Sequence, residues 1–185
     1  MNPRKKLYTL FAILALSAFA FACGETSKAN KFVEEGNAAV EEGKKLFEQA
    51  DAKDDEILQA LDGFPANRDQ LKGKAQEVID LLDKSIAKLR EGASKFDEGS
   101  KTNIDPKLKE YLSLKSQEFS KHAEHLEVEK EVPKAVMDPA VADTEALKAR
   151  FTDIQERVKK LEQEWTDYAQ RADKIQQENK DKFKS

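Results

Sequence analysis

The sequence predicts an all-α fold, an elongated up-down-up-down bundle of four antiparallel helices with coiled-coil-like packing. After residue 28, apolar residues recur at steps of three and four, which places them on one face of a helix. The chain has 37% charged residues but only seven glycines and five prolines, as is typical of long, solvated helices. Candidate caps at Asn67, Asp105 and Asp143 are 38 residues apart each time, so the helices should be similar in length and joined by short connections.

The first predicted helix covers residues 29–61. It opens with three successive seven-residue units, each of which starts with an apolar pair and has a small residue at its fifth position. These small residues are Gly36, Gly43 and Ala50. Glycine inside a helix costs about 1 kcal/mol relative to alanine, so two of them on the inner face require a reason. Either they let a neighbouring helix approach closely, or this stretch is simply a weaker, more bendable helix.

The second predicted helix covers residues 67–97. Gly63 is expected to end the first helix in the left-handed αL conformation, which glycine adopts readily. Asn67 and Gln70 have the spacing of a capping box, in which each side chain bonds to the backbone of the other residue. This pair is therefore predicted to start the second helix.

The third predicted helix covers residues 105–132. Asp105 is expected to cap its start, with Pro106 at the first helical position, where the missing N–H is not needed. Lys115 stands where an apolar residue would be expected, so the inner face of this helix is the least complete of the four. Residues 131–142 contain two prolines and little periodicity, and they are predicted to form a loop.

The fourth predicted helix covers residues 143–180, with Asp143 as its cap. Its apolar residues alternate steps of four and three without a break, which is a heptad seam and predicts left-handed supercoiling. The seam consists of Leu147, Phe151, Ile154, Val158, Leu161, Trp165, Tyr168, Ala172 and Ile175. If the other helices do not cover this seam fully, it offers a surface for self-association.

The first 23 residues are of a different kind. Arg4, Lys5 and Lys6 precede an apolar run, Leu7–Cys23, that ends in small residues, which is the layout of a secretory signal. Cys23 is the only cysteine, so an intramolecular disulfide is excluded. We expect residues 1–22 to be removed as a signal peptide, residues 23–28 to form a lipidated cysteine with a polar tether, and residues 29–185 to form one helical domain.

This segment resembles the signal of bacterial lipoproteins, whose lipobox places an apolar residue and small residues before a lipid-modified cysteine. Ala22 and Cys23 match, whereas Ala20 stands where leucine is commonest and Phe21 where a small residue is preferred. The lipobox is therefore a relaxed one, of the sort seen in spirochaete lipoproteins. The resemblance implies a diacylated thioether at Cys23 and export to a bacterial envelope membrane, the outer membrane if the cell has one.

Two other interpretations of this segment stay open. Small residues two apart at 18 and 20, and at 20 and 22, also satisfy the rule for ordinary signal cleavage, which would release a soluble protein with one thiol. An uncleaved membrane span is the other alternative, but the apolar run falls short of the roughly 20 residues that a helix needs to cross the bilayer.

Composition and motifs disfavour several classes of function. Without residues 1–22 the chain has 29 basic and 36 acidic residues, a net charge of −7, so nucleic acid is not an expected partner. No serine or threonine occurs in a nucleophile-elbow context and no glycine-rich loop suits a phosphate, so neither an enzyme nor a cofactor beyond the lipid at Cys23 is expected. The sequence favours a membrane-anchored, non-catalytic scaffold, spacer or adaptor that binds another protein through charged helix faces or its distal loops.

The histidines support an alternative from another class, a metal or small-ligand carrier with a site between the helices. His122 and His125 are three residues apart on the third helix, with Glu118 and Glu129 one turn to either side. All four side chains could therefore share a face and bind a metal such as zinc. The competing interpretation places one histidine at the edge of the core and the other in solvent.

The last six residues, 180–185, contain three lysines and Phe183. An even number of antiparallel helices would return this segment to the membrane end of the bundle. We expect it either to be a frayed, solvated end or to contact anionic lipid headgroups.

Overall fold

The computed structural model describes residues 24–183, which form a bundle of long helices without any strand in that range. The all-helical class that the sequence predicts is therefore confirmed. The helices are Gly24–Gln59 (α1), Arg68–Ser100 (α2), Pro106–Glu129 (α3), Glu131–Met137 (α4) and Thr144–Glu178 (α5), with single 3-10 turns at Leu61–Gly63 and Lys180–Lys182.

The predicted signal peptide at residues 1–22 and the predicted lipid acceptor Cys23 lie outside the described residues. From residue 24 to residue 183, no helix is both long enough and apolar enough to cross a membrane. Helix α1 begins at Gly24, five residues before its predicted start, so it includes residues 24–28 of the predicted tether.

Two of the predicted caps are present in the structure. The carboxylate of Asp105 accepts a hydrogen bond from the backbone N–H of Lys107 at 2.8 Å, at the start of α3. Asp143 accepts one from the backbone N–H of Ala146 at 2.9 Å, at the start of α5. Each bond satisfies one of the N–H groups that the first turn of a helix leaves without a partner.

The predicted connection between α1 and α2 is wrong in two details. Gly63 does not adopt a positive φ, and the chain leaves α1 through the 3-10 turn Leu61–Gly63. Asn67 forms no capping hydrogen bond, so the capping box with Gln70 is absent. Its side-chain amide instead donates to the carbonyl of Ala60 at 2.6 Å, which ties the start of α2 back to the connection.

The loop predicted at residues 131–142 is wrong over its first half, where the structure forms α4. Pro133 explains why α3 and α4 are separate helices, since proline has no N–H for the carbonyl of Glu129 and its ring crowds that turn. In α4 the same residue takes the third position, where a backbone N–H has no partner within the helix anyway. Proline thus interrupts the helix without ending it, and four residues of α4 are buried against the bundle: Val132, Pro133, Ala135 and Val136.

The long helices pack in a row. Helix α2 lies between α1 and α3, α3 lies between α2 and α5, and α4 covers part of α2 and α5. Phe47 of α1 and Trp165 of α5 both contact the ring of His122 on α3. Helix α3, whose inner face looks least complete in the sequence, is largely enclosed. Its buried residues are Leu108, Tyr111, Leu112, Leu114, Lys115, Glu118, Phe119, His122, Ala123, His125 and Leu126.

Helices α1 and α2 approach closely at their glycines. A Cβ atom on Gly36 would lie 3.1 Å from the ring of Phe96, and one on Gly43 would lie 3.2 Å from its nearest neighbour on α2. On Gly92 it would lie only 2.6 Å from the side chain of Val40. These separations are too short for ordinary carbon contacts. They support the first explanation for the glycines of the first helix, that they admit a close neighbour.

Two connections meet at one end of the bundle. The hydroxyl of Thr144 donates to the carbonyl of Phe64 at 3.2 Å, so the start of α5 is joined to the α1–α2 connection. The guanidinium of Arg68 donates to the carbonyl of Val141 and also lies 4.7 Å from the centre of the Phe64 ring. We call the connecting residues 60–67 and 138–143 the loop end.

The chain beyond α5 packs against the start of α3. The ring of Phe183 lies 5.0 Å from that of Tyr111 in an edge arrangement, and only 4% of Phe183 is exposed. Lys182 forms an ion pair with Asp105 at 2.7 Å. The frayed end predicted for residues 180–185 is therefore wrong as far as Phe183, and the ring of Phe183 is not available to a membrane. Residues 184 and 185 lie outside the described range.

Candidate functional site

The polar groups with the most unusual surroundings lie on α3, inside the bundle. Lys115, Glu118, His122 and His125 are all buried, although lysine and glutamate are rarely buried without a partner. Their heptad-like spacing turns them toward the side of α3 that lies between α1 and α5. A polar group in such a place loses its hydration, so its partners decide whether it is structural or functional.

Lys115 and Glu118 neutralise each other. The Lys115 ammonium lies 2.6 Å from the Glu118 carboxylate and 4.6 Å from the centre of the Phe119 ring. Burial raises the pKa of Glu118, and the neighbouring Lys115 acts in the opposite direction. The charge of Asp173, on α5, also raises the pKa of Glu118. Burial raises the pKa of Tyr111, and the charges of Glu118 and Asp173 raise it further. We interpret this group as a structural ion pair at the α3–α5 interface.

Both histidines are buried, with 3% of His122 and 1% of His125 exposed. The ring of His122 stacks on that of Trp165, with centroids 4.9 Å apart and planes at 16°. It also meets the edge of Phe47 of α1 at 6.5 Å. The prediction of one core-edge and one solvated histidine is therefore wrong, because the helices on either side of α3 enclose both rings.

Burial keeps both imidazoles neutral at pH 7. It lowers the pKa of His122 to about 3, and the nearby His125 lowers it further. It lowers the pKa of His125 to about 4, an effect that the charge of Glu162 partly opposes. A neutral imidazole can donate one hydrogen bond and accept another, and it is the form that binds metals.

His125 uses neither of these capacities within the bundle. Its Nδ1 and Nε2 atoms are both buried without a hydrogen-bond partner. The nearest carboxylate is that of Glu129, whose oxygen lies 3.9 Å from Nε2, beyond hydrogen-bond distance. An unsatisfied buried polar group of this kind costs about 1–3 kcal/mol, so His125 is the least stabilised polar residue of the site.

Glu129 also lines a cavity of about 30 Å³ between α1, α2 and α4. Asp51 and Asp54 of α1 line the same cavity, together with Phe47 and other apolar side chains. The volume suits about one water molecule. Sequence reasoning missed both aspartates, since their spacing of three is common in so acidic a chain and only tertiary packing brings them to Glu129.

The four predicted metal ligands do not form a common site. Glu118 is paired with Lys115, and His122 stacks on Trp165. The rings of His122 and His125 lie 5.8 Å apart, and only His125 has a carboxylate of the predicted set nearby, that of Glu129 at 3.9 Å. Over residues 24–183, no group of three or more His, Cys, Asp or Glu side chains is arranged to hold a metal ion.

A second cavity between helices measures about 10 Å³. Its walls are formed almost entirely by apolar residues of α1 and α3 and of the connection before α3, among them Val33, Ile104 and Leu108. Both cavities are far smaller than the roughly 300–1,000 Å³ typical of ligand pockets.

Comparison with known proteins gives no relative from which a role could be inferred. No protein-family model, curated protein or solved structure matches this chain significantly.

Proposed function

We propose that the chain is a lipid-anchored protein of a bacterial envelope, exported through residues 1–22 and attached to the membrane by a lipid on Cys23. Its role is that of a non-catalytic scaffold, spacer or adaptor, which binds another protein through its charged helix faces or its loop end. The observation that carries this proposal is the meeting of two connections, 60–67 and 138–143, at one end of a bundle of long helices. A partner can bind there without approaching the anchor.

The proposal includes an antiparallel, up-down-up-down order of the four long helices. Between α1 and α2, Gly36 faces Phe96, whereas Lys53 pairs with Glu77 at 2.5 Å. Residues that come later in α1 therefore contact residues that come earlier in α2, as is expected of antiparallel neighbours.

Contacts between α3 and α5 also pair later residues of one helix with earlier residues of the other, which supports antiparallel packing of these two helices. Lys121 of α3 lies 3.4 Å from Glu164 of α5, and Lys182 beyond α5 reaches back to Asp105 at the start of α3. With this topology the N-terminus of α1 and the C-terminus lie at one end, and the loop end lies at the other. The anchor then directs the loop end away from the membrane.

The interior supports a scaffold more than a carrier. The cavity between α1, α2 and α4 and the one between α1 and α3 measure about 30 and 10 Å³, and an open, polar depression between α4 and α5 measures about 170 Å³. All three volumes are below those of ordinary pockets for organic ligands. Wider depressions lie on the exposed surface of α5 and are lined by polar residues such as Gln163 and Asp167. A partner protein with complementary charges can be steered to these open, charged faces.

Metabolic labelling with a palmitate analogue tests the anchor. We expect label on the wild-type chain and none on Cys23→Ser, because the thiol is the acceptor in the proposed reaction. Ser17→Ala, within the apolar run, serves as a matched control and should keep the label. Release of an unlabelled wild-type chain into the medium would show ordinary signal cleavage instead.

Site-specific photo-crosslinking in cells tests where a partner binds. A photoreactive residue at the exposed positions Ala66 or Ala140, both at the loop end, should capture one defined protein. The same residue at Ala87, which is exposed in the middle of α2, is the control. Equal capture at all three positions would argue against a specific role for the loop end.

A further inference from the structure

Helix α5 is less enclosed than α2 or α3. Only five of its 35 residues are buried, compared with 12 of the 33 residues of α2 and 11 of the 24 residues of α3. The five are spread along the apolar seam, from Leu147 near one end of the helix to Ile175 near the other. The rest of the bundle therefore covers the seam of α5 only in part.

Four apolar side chains of the seam are half-buried: Phe151, Val158, Leu161 and Tyr168. Phe151 and Tyr168 pack against the edge of the core. Val158 and Leu161, in the middle of α5, belong neither to the core of the described chain nor to the half-buried apolar residues packed against it. A further helix at this point would remove apolar area from water, which is favourable by about 25 cal/mol per Å².

The half-buried residues are placed symmetrically along α5. Val158 and Leu161 lie 1.5 residues from the midpoint of residues 159–160, and Phe151 and Tyr168 lie 8.5 residues from it. A second α5 that runs in the opposite direction, related by a twofold axis through this midpoint, would bring Val158 opposite Leu161 and Phe151 opposite Tyr168. The seam is therefore self-complementary, as the interface of a twofold dimer must be.

The two halves of α5 have opposite charge. Residues 148–160 contain five basic and two acidic side chains, a net charge of +3, whereas residues 161–173 contain one basic and four acidic ones, a net charge of −3. Antiparallel copies place the basic half of each chain beside the acidic half of the other, but parallel copies place like halves together. Arg157 and Glu164 already have ion-pair partners within the chain, so the attraction acts between whole halves.

We propose that a second copy of the chain packs along α5 in antiparallel order, with Val158 of each copy against Leu161 of the other. The contact buries the half-exposed middle of the seam and sets halves of opposite charge side by side. This inference goes beyond the proposed function, and it does not depend on lipidation of Cys23.

With the proposed lipid anchor, such a pair would join two membranes that face each other. Ala29, near the start of α1, lines a cavity with Tyr111, whose ring contacts Phe183 beyond the end of α5, so both chain ends lie at one end of the bundle. Antiparallel copies therefore carry their anchors at opposite ends. The two copies of Glu178 are then 37 residues apart along the paired helices, or about 55 Å. This consequence, unlike the pairing itself, rests on the proposed function.

Distances between single spin labels test the pairing and its direction. In the full-length Cys23→Ser chain, a label at the exposed Gln155 should give an intermolecular distance below about 30 Å. A label at the exposed Gln177 should give about 50 Å, because antiparallel order separates its two copies by 35 residues along the helices. Double electron–electron resonance measures both distances. Equal short distances would mean a parallel pair, and no dipolar signal at either position would mean that no second copy binds there; either result overturns the proposal.

A variant in the middle of the seam tests the contact itself. Leu161→Glu should lower the dipolar modulation depth at least threefold, because it places a charge against the apolar Val158 of the other copy. Gln163→Glu is the matched control, since it adds the same charge at an exposed position two residues away and should keep the signal. Circular dichroism checks that the helices remain formed. An unchanged modulation depth in the folded Leu161→Glu chain would show that another surface joins the copies and would contradict the proposal.

Vesicles test the membrane consequence separately. Vesicles that carry the lipidated wild-type chain should cluster and at least double their hydrodynamic radius in dynamic light scattering. Vesicles that carry the lipidated Leu161→Glu chain should stay single. Single vesicles with the wild-type chain would overturn the joining of membranes, whereas a chain found without lipid by mass spectrometry would overturn the proposed anchor and leave the result of the spin labels standing.

Discussion

The buried ion pair of α3 shows how one residue can depart from its sequence pattern without loss of structure. Lys115 occupies a core position, and its ammonium is compensated by Glu118 one turn later and by the ring of Phe119. Taking two charges out of water costs free energy, and their mutual attraction offsets this only when the two groups meet with good geometry. The pair is therefore stable as a unit but sensitive to the loss of either member.

Removal of one member should be strongly destabilising. We expect Lys115→Met to lower the free energy of unfolding by about 3 kcal/mol or more, because Glu118 is left buried and unpaired. Adding Glu118→Leu should recover most of this loss, since the second charge is then gone as well. Urea unfolding monitored by circular dichroism measures both changes.

The matched control is another i, i+3 pair, Glu145 with Lys148, whose side chains are 83% and 67% exposed. Lys148→Met should leave the unfolding midpoint unchanged within error, as is usual for surface pairs. If Lys115→Met behaved like Lys148→Met, the proposed role of the buried pair would be wrong.

The buried histidines predict a loss of stability in acid. Their pKa values are lowered from 6.5 to about 3 for His122 and about 4 for His125, so below pH 6.5 the unfolded chain binds protons that the folded chain does not. The stability that the two neutral imidazoles contribute is therefore fully present above pH 6.5 and is lost as the pH falls from 6.5 toward 4.

Comparison with His122→Phe isolates one histidine, because phenylalanine keeps the stack on Trp165. Between pH 6 and pH 5, the wild type should lose about 1.2 kcal/mol of unfolding free energy more than the variant, because the unfolded imidazole with its pKa of 6.5 binds most of one proton over this interval and the folded one binds almost none. Chemical unfolding at several pH values measures this difference. Parallel stability curves for the two proteins would show that His122 is not protonated on unfolding in this range.

Among the helices, the α1–α2 pair is held together by small residues. Gly36, Gly43 and Gly92 remove side chains where the two backbones approach, and the Ser85 hydroxyl donates to the carbonyl of Gly43 at 2.8 Å across the same interface. The helix propensity that these glycines sacrifice is offset by close packing over two long helices. The interruption of the helix between α3 and α4 also affects how whole helices pack, because it places α4 over α2 and α5.

Two glycines of α2 offer a matched test of close approach. Gly92→Ala should destabilise the protein by about 1–3 kcal/mol, because the new Cβ atom would lie 2.6 Å from Val40 and 3.0 Å from the carbonyl of Gly36. Gly73→Ala, in the same helix, meets no atom within 4 Å and should instead stabilise it by about 1 kcal/mol. Thermal unfolding of both variants measures the contrast, and a rise in melting temperature for Gly92→Ala would rule out the steric explanation.

At the scale of the whole molecule, the position of the loop end relative to the anchor decides what a partner can reach. The proposed antiparallel order sets both chain termini at one end and the two connections at the other. The anchor and the loop end are therefore parts of one arrangement.

Distances between spin labels test this order. In a Cys23→Ser background, labels at Ala66 and Ala140 should give a distance below about 20 Å, because both residues belong to the loop end. Labels at Ala66 and Lys101 should be about 50 Å apart, the length of the 33 residues of α2. Double electron–electron resonance measures both distances, and similar values for the two pairs would contradict the proposed order.

Much of the helical content follows from local chemistry and could be predicted. The apolar period marks the long helices, and the carboxylates of Asp105 and Asp143 cap two of them as expected, since capping involves only neighbouring residues. The predictions are wrong where contacts with residues distant in the chain outweigh the local preference. The side chain of Asn67 donates to the carbonyl of Ala60 in the connection instead of capping α2. Residues 131–137 form α4 because α2 and α5 bury its apolar face.

The candidate site was only partly visible in the sequence. His122, His125, Glu118 and Glu129 were identified from their spacing on one helix, but spacing says nothing of the helices opposite. Those helices bury both histidines and bring Asp51 and Asp54 to Glu129. Each of these outcomes depends on contacts between residues far apart in the chain.

The sequence by itself determined the helical class, two caps and the contrast between an apolar leader and an acidic body, because these depend on residue type and local period. Only the tertiary structure decided which helices are neighbours and which polar groups lose contact with water. Local chemistry fixes the conformation of each segment, whereas packing is set by shape and charge summed over segments distant in sequence. That difference explains why the helices could be predicted and the surroundings of His125 could not.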